Sequence, residues 1–195
     1  MPNIFFTSDL HFGHKNIIRF DNRPFTTIEE MDKALIRNWN NKVNDDDTVY
    51  VLGDISWYKD DKTTEIFSLL KGHKILIKGN HDRVHGKIKN CFDEIVDYKE
   101  IQISKDCGIV LSHYPIPCFN NHYYGWYHLY GHVHKSFEWN MMENVKFQMS
   151  ALYDKECRMY NVGIMIPYME FMPKTLEEIV EAEKIYSALR GIVNV

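Results

Sequence analysis

Five short polar segments of this chain contain the side chains best suited to bind divalent metal ions. They are Asp9-Leu10-His11, Gly53-Asp54, Gly79-Asn80-His81-Asp82, His113 and Gly131-His132-Val133-His134. Half of the ten histidines of the chain lie in these segments. Carboxylate, imidazole and amide groups are the mixture that hydrolytic two-metal sites use, with ions roughly 3.5 to 4 Å apart. The residue types therefore indicate a metal centre with hydrolytic chemistry.

Each of these segments follows a run of residues that predicts a β-strand. The runs are residues 4–7, 49–52, 75–78, 109–112 and 128–130. Open α/β folds place their sites where successive strands end, so the polar segments can converge on one edge of a sheet. A single histidine or aspartate in such a place is more often a satisfied polar group or a helix cap. Five segments in this order favour a common site.

The order of the five segments resembles the signature blocks of the calcineurin-like metallophosphoesterases. Asp-x-His, Gly-Asp, Gly-Asn-His-Asp, His and Gly-His-x-His follow one another between residues 9 and 134. The chain looks like a small single-domain phosphoesterase of the bacterial or phage type. This resemblance implies an α/β fold, namely a four-layer α/β/β/α sandwich of two mixed sheets flanked by helices. It also implies a dinuclear metal site at the strand ends.

The same resemblance implies a role for each residue of the five segments. One ion would be held by Asp9, His11 and His134, the other by Asn80, His113 and His132, with Asp54 bridging both. His81 would lie beside the centre as the general acid, with Asp82 orienting its ring. One departure stands out, since many family members have a basic residue or a histidine shortly after the bridging aspartate. This chain has Ser56 and Trp57 there.

The spacing of apolar residues predicts helices between the strands. An amphipathic helix is expected over residues 27–43, with acidic residues in its first turn that favour the helix dipole, and a shorter helix over 60–70. Beyond residue 92 the strand-like runs become shorter, at 101–103, 108–112, 127–130 and 159–166, which indicates a second sheet. A capping box, Thr175-x-x-Glu178, predicts the start of a terminal helix. We expect residues 1–195 to form one domain.

Composition favours a compact cytoplasmic enzyme. The chain has 195 residues, 45% of them hydrophobic, and no apolar run approaches the roughly 20 residues that span a bilayer. No pair among its four cysteines has Cys-x-x-Cys spacing, so a disulfide framework is not expected. A net charge of −4 disfavours a protein whose main task is to grip nucleic-acid backbone. We therefore expect neither a membrane partner nor a stable nucleic-acid complex.

Several other side chains are candidates for binding substrate. His14, with Lys15, lies at the expected start of a helix where a phosphate could bind, and a surface pair is the alternative. Arg23 and Arg83 could clamp substrate oxygens, while Arg23 could equally brace a turn. Residues 119–127 are rich in aromatic rings. Tyr124 and Trp126 could stack on a nucleobase there, or pack the loop onto the body of the protein.

The resulting hypothesis is metal-assisted hydrolysis of a small phosphate ester, either a monoester or a diester, with nucleotides among the candidates. A water bridging two cations would attack phosphorus while His81 protonates the leaving oxygen. Manganese is the expected metal, with iron, nickel and zinc as alternatives. Two other hypotheses remain open, a nuclease acting on DNA or RNA and a non-catalytic metal-binding scaffold. A scaffold has no use for the His81-Asp82 pair, and the oligomeric state is left open.

Overall fold

Two four-stranded β-sheets form the centre of the protein in a computed structural model that describes residues 2–193. The first sheet has the order β1 (Ile4–Thr7), β2 (Thr48–Val51), β3 (His73–Ile77), β4 (Glu94–Val96). The second has the order β5 (Tyr98–Ser104), β6 (Cys107–Ser112), β7 (Tyr127–Tyr130), β8 (Met159–Asn161). The predicted second sheet is thus confirmed.

Strand direction differs between the two sheets. All four strands of the first sheet are parallel. In the second sheet β5 is antiparallel to β6, whereas β6, β7 and β8 are parallel. The second sheet is therefore mixed, while the first is parallel over its four strands and has one antiparallel bridge, between Phe6 of β1 and Lys174.

Five α-helices accompany the sheets within the described residues. They are α1 (Ile17–Phe20), α2 (Ile28–Lys42), α3 (Asp60–Ser68), α4 (Phe137–Tyr153) and α5 (Leu176–Val193). The helices expected over 27–43 and 60–70 are α2 and α3. The capping box before α5 is present, since the Thr175 hydroxyl accepts the Glu178 N–H and the Glu178 carboxylate accepts the Thr175 N–H. Helix α4 was not predicted from the sequence.

The alternating direction of side chains along the strands of the first sheet explains how helices and sheets are layered. Phe5, Val49, Val51 and Leu76 pack with residues of α2 and α3, while Phe6, Tyr50, Leu52 and Ile77 pack against the second sheet. Successive side chains of a strand point to opposite faces, so one sheet supplies two cores. Helix α4 covers the second sheet, where the Lys146 ammonium lies 4.7 Å from the Tyr160 ring centre. The order α/β/β/α is confirmed.

Two further expectations can be compared with the described residues. None of their helices combines the length and the apolar character needed to cross a bilayer. All four cysteines, Cys91, Cys107, Cys118 and Cys157, are free thiols.

Candidate metal centre

The predicted metal ligands meet at the carboxyl ends of β1, β2, β3, β6 and β7. One group is Asp9, His11, Asp54 and His134, whose ligand atoms all lie within 4.8 Å of one another. The second group surrounds Asn80, whose Oδ1 lies 3.0 Å from His113 Nε2 and 3.0 Å from His132 Nδ1. The structure therefore brings together all of the side chains that the resemblance assigned to metal.

Asp54 belongs to the first group and also faces the second. Its Oδ2 is 3.7 Å from His11 Nε2 in one group and 3.7 Å from His113 Nε2 in the other. Its Oδ1 accepts a hydrogen bond of 3.0 Å from the backbone N–H of His81. The carboxylate is buried. One oxygen therefore faces both ligand groups while the other is fixed to the backbone.

Several of the ligands have left-handed backbone geometry. Asp9, His11, Asp54, His132 and His134 have φ angles of 55°, 51°, 54°, 69° and 44°. Non-glycine residues rarely adopt this conformation, and such strain concentrates at functional sites. Hydrogen bonds between the strand-end loops maintain it, because Asp9 N–H donates to Gly53 O and His11 N–H to Asp54 O, each at 3.0 Å. The sharp turns let neighbouring side chains face one point.

Two glycines of the motifs make room for the carboxylates. A Cβ at Gly79 would lie 2.3 Å from Asp54 Oδ1, and a Cβ at Gly131 would lie 2.5 Å from Asp9 Oδ2. Either contact is shorter than two non-bonded heavy atoms allow. These glycines are therefore required by the packing of the site.

Other groups fix the orientation of the ligand imidazoles. His134 Nδ1 lies 2.7 Å from Asp21 Oδ1, and His113 Nδ1 donates to the Leu52 carbonyl at 2.7 Å. Metal-binding histidines typically give their second nitrogen to such a carboxylate or carbonyl. The Nε2 atoms of both rings are thereby turned towards the site. Asp21 is a functional candidate that the sequence analysis missed, because nothing in its local sequence indicates a contact with His134.

The titration behaviour of the site reflects its burial and its carboxylates. Burial lowers the pKa of His11 to about 3, so its imidazole is neutral and available as a ligand. Burial also disfavours a charged His134, but hydrogen bonds to Asp21 and Asp9 outweigh it and raise the His134 pKa to about 10. Burial alone would raise the pKa of Asp9, yet the hydrogen bond from His134 and the nearby imidazoles hold it well below its usual range. The site is built to stabilise positive charge.

The residues present fit divalent cations. His113 donates through Nδ1, so its Nε2 presents a lone pair towards Asp54 Oδ2, an acceptor facing an acceptor at 3.7 Å. His11 Nε2 and His134 Nε2 lie 3.1 Å apart, so only one of these two nitrogens carries the proton of the hydrogen bond between them. A cation would stabilise these nitrogen and oxygen atoms, which point their electron pairs into the same space. Mixed nitrogen and oxygen ligands suit manganese, iron, nickel or zinc.

The predicted role of Asp82 is contradicted by its hydrogen bonds. Its carboxylate accepts the backbone N–H groups of Gly79 at 2.8 Å, Asp54 at 3.0 Å and Ile55 at 2.9 Å. It therefore does not orient the His81 ring. Asp82 instead joins the loop after β3 to the loop after β2, which carries Asp54.

His81 and His14 lie beside the ligand groups without belonging to them. The exposed His81 ring is centred 4.6 Å from the Trp57 ring and 6.3 Å from the His11 ring. The His14 ring is centred 4.2 Å from Trp57 and 5.6 Å from His11, and its Nδ1 accepts the Ile17 N–H. Their roles in catalysis and in phosphate binding remain predictions.

Arg23 is not available to a substrate. The residue is 4% exposed, and its guanidinium donates to the Asp21 carboxylate and to the carbonyls of Leu10 and Asp9. The predicted clamp is therefore wrong, and the alternative of a structural brace is correct. Arg23 holds the first ligand segment and Asp21 in place.

The aromatic loop lies far from the metal ligands. A Cβ at Gly108 would lie 2.7 Å from the Trp126 ring, so Trp126 packs at the beginning of β6. His113 follows the other end of that strand, about 16 Å away at roughly 3.3 Å per residue. Tyr124 is 76% exposed on the same distant edge. The predicted stacking role of Tyr124 and Trp126 at the site is therefore wrong.

A pocket of about 540 Å³ opens beside His81. Two segments line it, one following Asp54 and the other following Gly79. Its lining includes Trp57, Tyr58, Lys59, Asn80, His81, Arg83 and His85. Arg83 lines this pocket, and its role as a clamp for substrate oxygens remains a prediction.

A family model described as calcineurin-like phosphoesterase matches residues 2–156. The chain belongs to this family. The matched region contains every predicted metal ligand, from Asp9 to His134. The resemblance inferred from five short segments is confirmed over most of the chain.

Several relatives of this phosphoesterase-family chain are known by sequence or structure. An uncharacterized protein of Methanocaldococcus jannaschii, MJ1445, is 40% identical over 136 residues, which cover 69% of this chain and 70% of that one. The gene 66 protein of Mycobacterium phage L5 is 34% identical over 134 residues, covering 59% of this chain and 64% of the phage protein. A crystal structure of AQ665 from Aquifex aeolicus, a protein of unknown function, matches with a TM-score of 0.70 and 29% identity. That match covers 93% of this chain and 99% of the other.

Proposed function

We propose that this protein hydrolyses a small phosphate ester with the help of two divalent metal ions. The observation that supports the proposal is the position of Asp54 Oδ2, 3.7 Å from a ligand nitrogen in each of two groups. A carboxylate shared in this way is what a pair of ions acting on one phosphate requires. Membership of the phosphoesterase family supports the same chemistry.

Each ligand group would hold one ion. Asp9, His11 and His134 would hold the first, Asn80, His113 and His132 the second, and Asp54 both. When bound, two such ions lower the pKa of a water molecule and neutralise charge on phosphoryl oxygens. Manganese is proposed because oxygen and imidazole donors are combined, although iron, nickel and zinc suit the same set.

His81 is the proposed proton donor. Its backbone N–H is fixed to Asp54 Oδ1, and its exposed ring lines the pocket without belonging to either ligand group. A ring nitrogen of the imidazolium would give its proton to the oxygen of the departing alcohol. The pocket of about 540 Å³ has the size of small-molecule sites, which favours a small ester over a long polymer.

A panel of substrates and metals tests the proposal. Metal-stripped protein would be supplied separately with manganese, nickel, iron or zinc, and offered p-nitrophenyl phosphate, bis(p-nitrophenyl) phosphate and single-stranded DNA and RNA. We expect turnover of at least one small ester by the metal-loaded protein and none by the stripped protein. Two bound ions without any turnover would favour the scaffold hypothesis. Faster cleavage of the polymers than of the small esters would favour the nuclease hypothesis.

A further inference from the structure

The pocket beside His81 has an aromatic platform. Trp57 lines it and is 48% exposed, although its ring also contacts His14 and His81. An indole ring that is about half exposed to solvent in a pocket offers a surface on which a planar ring can stack. Trp57 stands where many members of the family have a basic residue or a histidine.

The backbone around Trp57 is held rigidly. Its own N–H donates to the Phe12 carbonyl at 2.7 Å, and the Tyr58 hydroxyl donates to the Asp32 carboxylate at 2.9 Å. The first contact fastens this loop to the residue that follows the first ligand segment, and the second fastens it to helix α2. A platform fixed before the ligand arrives loses little conformational entropy on binding.

The charges of the lining are unequally paired. Asp60 lies 3.3 Å from a ring nitrogen of His85, and Asp61 lies 3.0 Å from the ammonium group of Lys87. No carboxylate of the described residues lies within ion-pair distance of Arg83 or Lys59, both of which line the pocket. These two cationic side chains are therefore available to an anionic ligand.

We propose that this pocket is a subsite for a nucleotide on the leaving side of the ester, with its base on Trp57 and its anionic group at Arg83. The leaving side is indicated because His81, the proposed proton donor, lines the same pocket. The inference rests on the proposed function for that orientation. In this proposal the aromatic group of the substrate contacts Trp57, next to the candidate metal ligands, and not the distant loop at Tyr124 and Trp126.

Equilibrium binding of three probes tests the subsite. The metal-loaded protein would be saturated with inorganic phosphate, so that the metal centre cannot take the phosphate of a probe. Calorimetric titration would then measure the dissociation constants of adenosine, ribose 5-phosphate and AMP. Adenosine presents the aromatic base, ribose 5-phosphate presents the anionic group, and AMP presents both. AMP should bind more tightly than either of the other two.

Paired variants assign the two contributions. Trp57→Ala should weaken AMP binding roughly 5- to 160-fold, the equivalent of 1 to 3 kcal/mol for one stacked base, and leave ribose 5-phosphate unchanged. Trp57→Phe should recover most of the loss, since it keeps an aromatic face. Arg83→Gln should weaken AMP and ribose 5-phosphate together and leave adenosine unchanged. Tyr124→Ala and Arg37→Gln are the matched controls, because each removes an exposed side chain of the same kind outside the pocket lining.

Two results would overturn the inference. One is wild-type protein that binds AMP no more tightly than ribose 5-phosphate. The other is a Trp57→Ala variant that melts at the wild-type temperature and still binds AMP normally. Either result leaves hydrolysis of generic esters untouched. AMP binding by a protein that hydrolyses no ester would instead contradict the proposed function and support the nucleotide site.

Discussion

The two oxygens of Asp54 have different tasks. Oδ2 faces a ligand nitrogen from each metal group, and Oδ1 accepts the N–H of the residue proposed to donate the proton. The side chain therefore faces both ligand groups with one oxygen and fixes the backbone of His81 with the other. A neutral amide of the same size would keep the shape of this arrangement and lose its charge.

Replacing Asp54 by asparagine should abolish both two-metal occupancy and ester hydrolysis while the protein remains folded. In the proposed site the bridging position needs an anion, because it would balance charge from two cations at once. Metal would be counted on purified protein by plasma emission spectrometry, with Asp46→Asn as the control at an exposed aspartate. Two tightly bound ions with wild-type turnover in Asp54→Asn would refute the bridging assignment.

Replacing His81 by alanine should separate chemistry from metal binding. The variant should keep both ions and lose on the order of 10²- to 10⁴-fold in kcat, the usual contribution of acid-base catalysis. The loss should be smaller for p-nitrophenolate, a leaving group that needs no proton, than for an alkoxide. Equal losses for the two leaving groups would show that His81 is not the proton donor.

Asp21 offers a test of a residue that only the folded structure reveals. Asp21→Asn removes the charge that faces His134 Nδ1, and loss of such a partner typically costs 10- to 100-fold in metal affinity. Competition with a coloured chelator would measure this change. Unaltered affinity would mean that His134 is oriented by Asp9 alone. The sequence could not predict the pair, because 113 positions separate its two members.

At the level of elements, the strand-end loops depend on one another. Asp82 accepts backbone N–H groups from both the loop after β2 and the loop after β3. The family resemblance implied a catalytic partnership between Asp82 and His81. Neighbours in a turn, however, can point in different directions, and Asp82 points into the backbone.

Asp82→Ala should therefore reduce stability as well as activity. Hydrogen bonds to a charged group contribute roughly 1.5 to 3 kcal/mol each, so loss of three that share one carboxylate should cost several kcal/mol. Thermal unfolding of metal-stripped protein would show the effect without the contribution of bound ions. Asp97→Ala is the control, since Asp97 is exposed and, among the described residues, its ion pair is with Lys78. A wild-type Tm with a loss of kcat confined to poor leaving groups would restore the orienting role.

Helices with one clear apolar stripe could be predicted from the sequence, whereas α4 could not. Trp139 is buried, yet Phe137, Phe147 and Leu152 are mostly exposed on the same helix. Apolar residues on several sides weaken the periodic pattern that identifies an amphipathic helix. The buried strands were easier to predict, because their runs are short, apolar and followed by the polar motifs.

The topology of the whole molecule explains why the meeting of the candidate metal ligands could be predicted from the sequence. It also explains why the position of the aromatic loop could not. Ligands follow strand ends, and parallel strands end at the same edge, so their order along the chain was enough to place them together. The connection from β6 to β7 starts at that edge but must return to the opposite one before β7 begins. Trp126, directly before β7, therefore lies far from His113 and His132 although it falls between them in sequence.

Outside the metal site, the second sheet contains a buried histidine that should make stability depend on pH. His128 Nδ1 donates to the Val110 carbonyl at 3.0 Å, and its Nε2 accepts the Ile116 N–H at 2.9 Å. Burial lowers the pKa of His128 to about 4, from an ordinary value of 6.5. Its only acceptor nitrogen is already occupied, so protonation would break a hydrogen bond inside the core.

The direction of the effect follows from the two pKa values. Between pH 6.5 and pH 4 the unfolded chain binds a proton at His128 that the folded chain refuses, so stability falls as the pH falls and levels off below pH 4. The difference amounts to roughly 3 kcal/mol. Urea unfolding of metal-stripped protein at pH 7 and pH 4 would be compared with His128→Gln, which keeps a donor and an acceptor but cannot be charged. The wild type should lose stability relative to this variant as the pH falls, and identical losses in both proteins would show that His128 does not set the acid sensitivity of the fold.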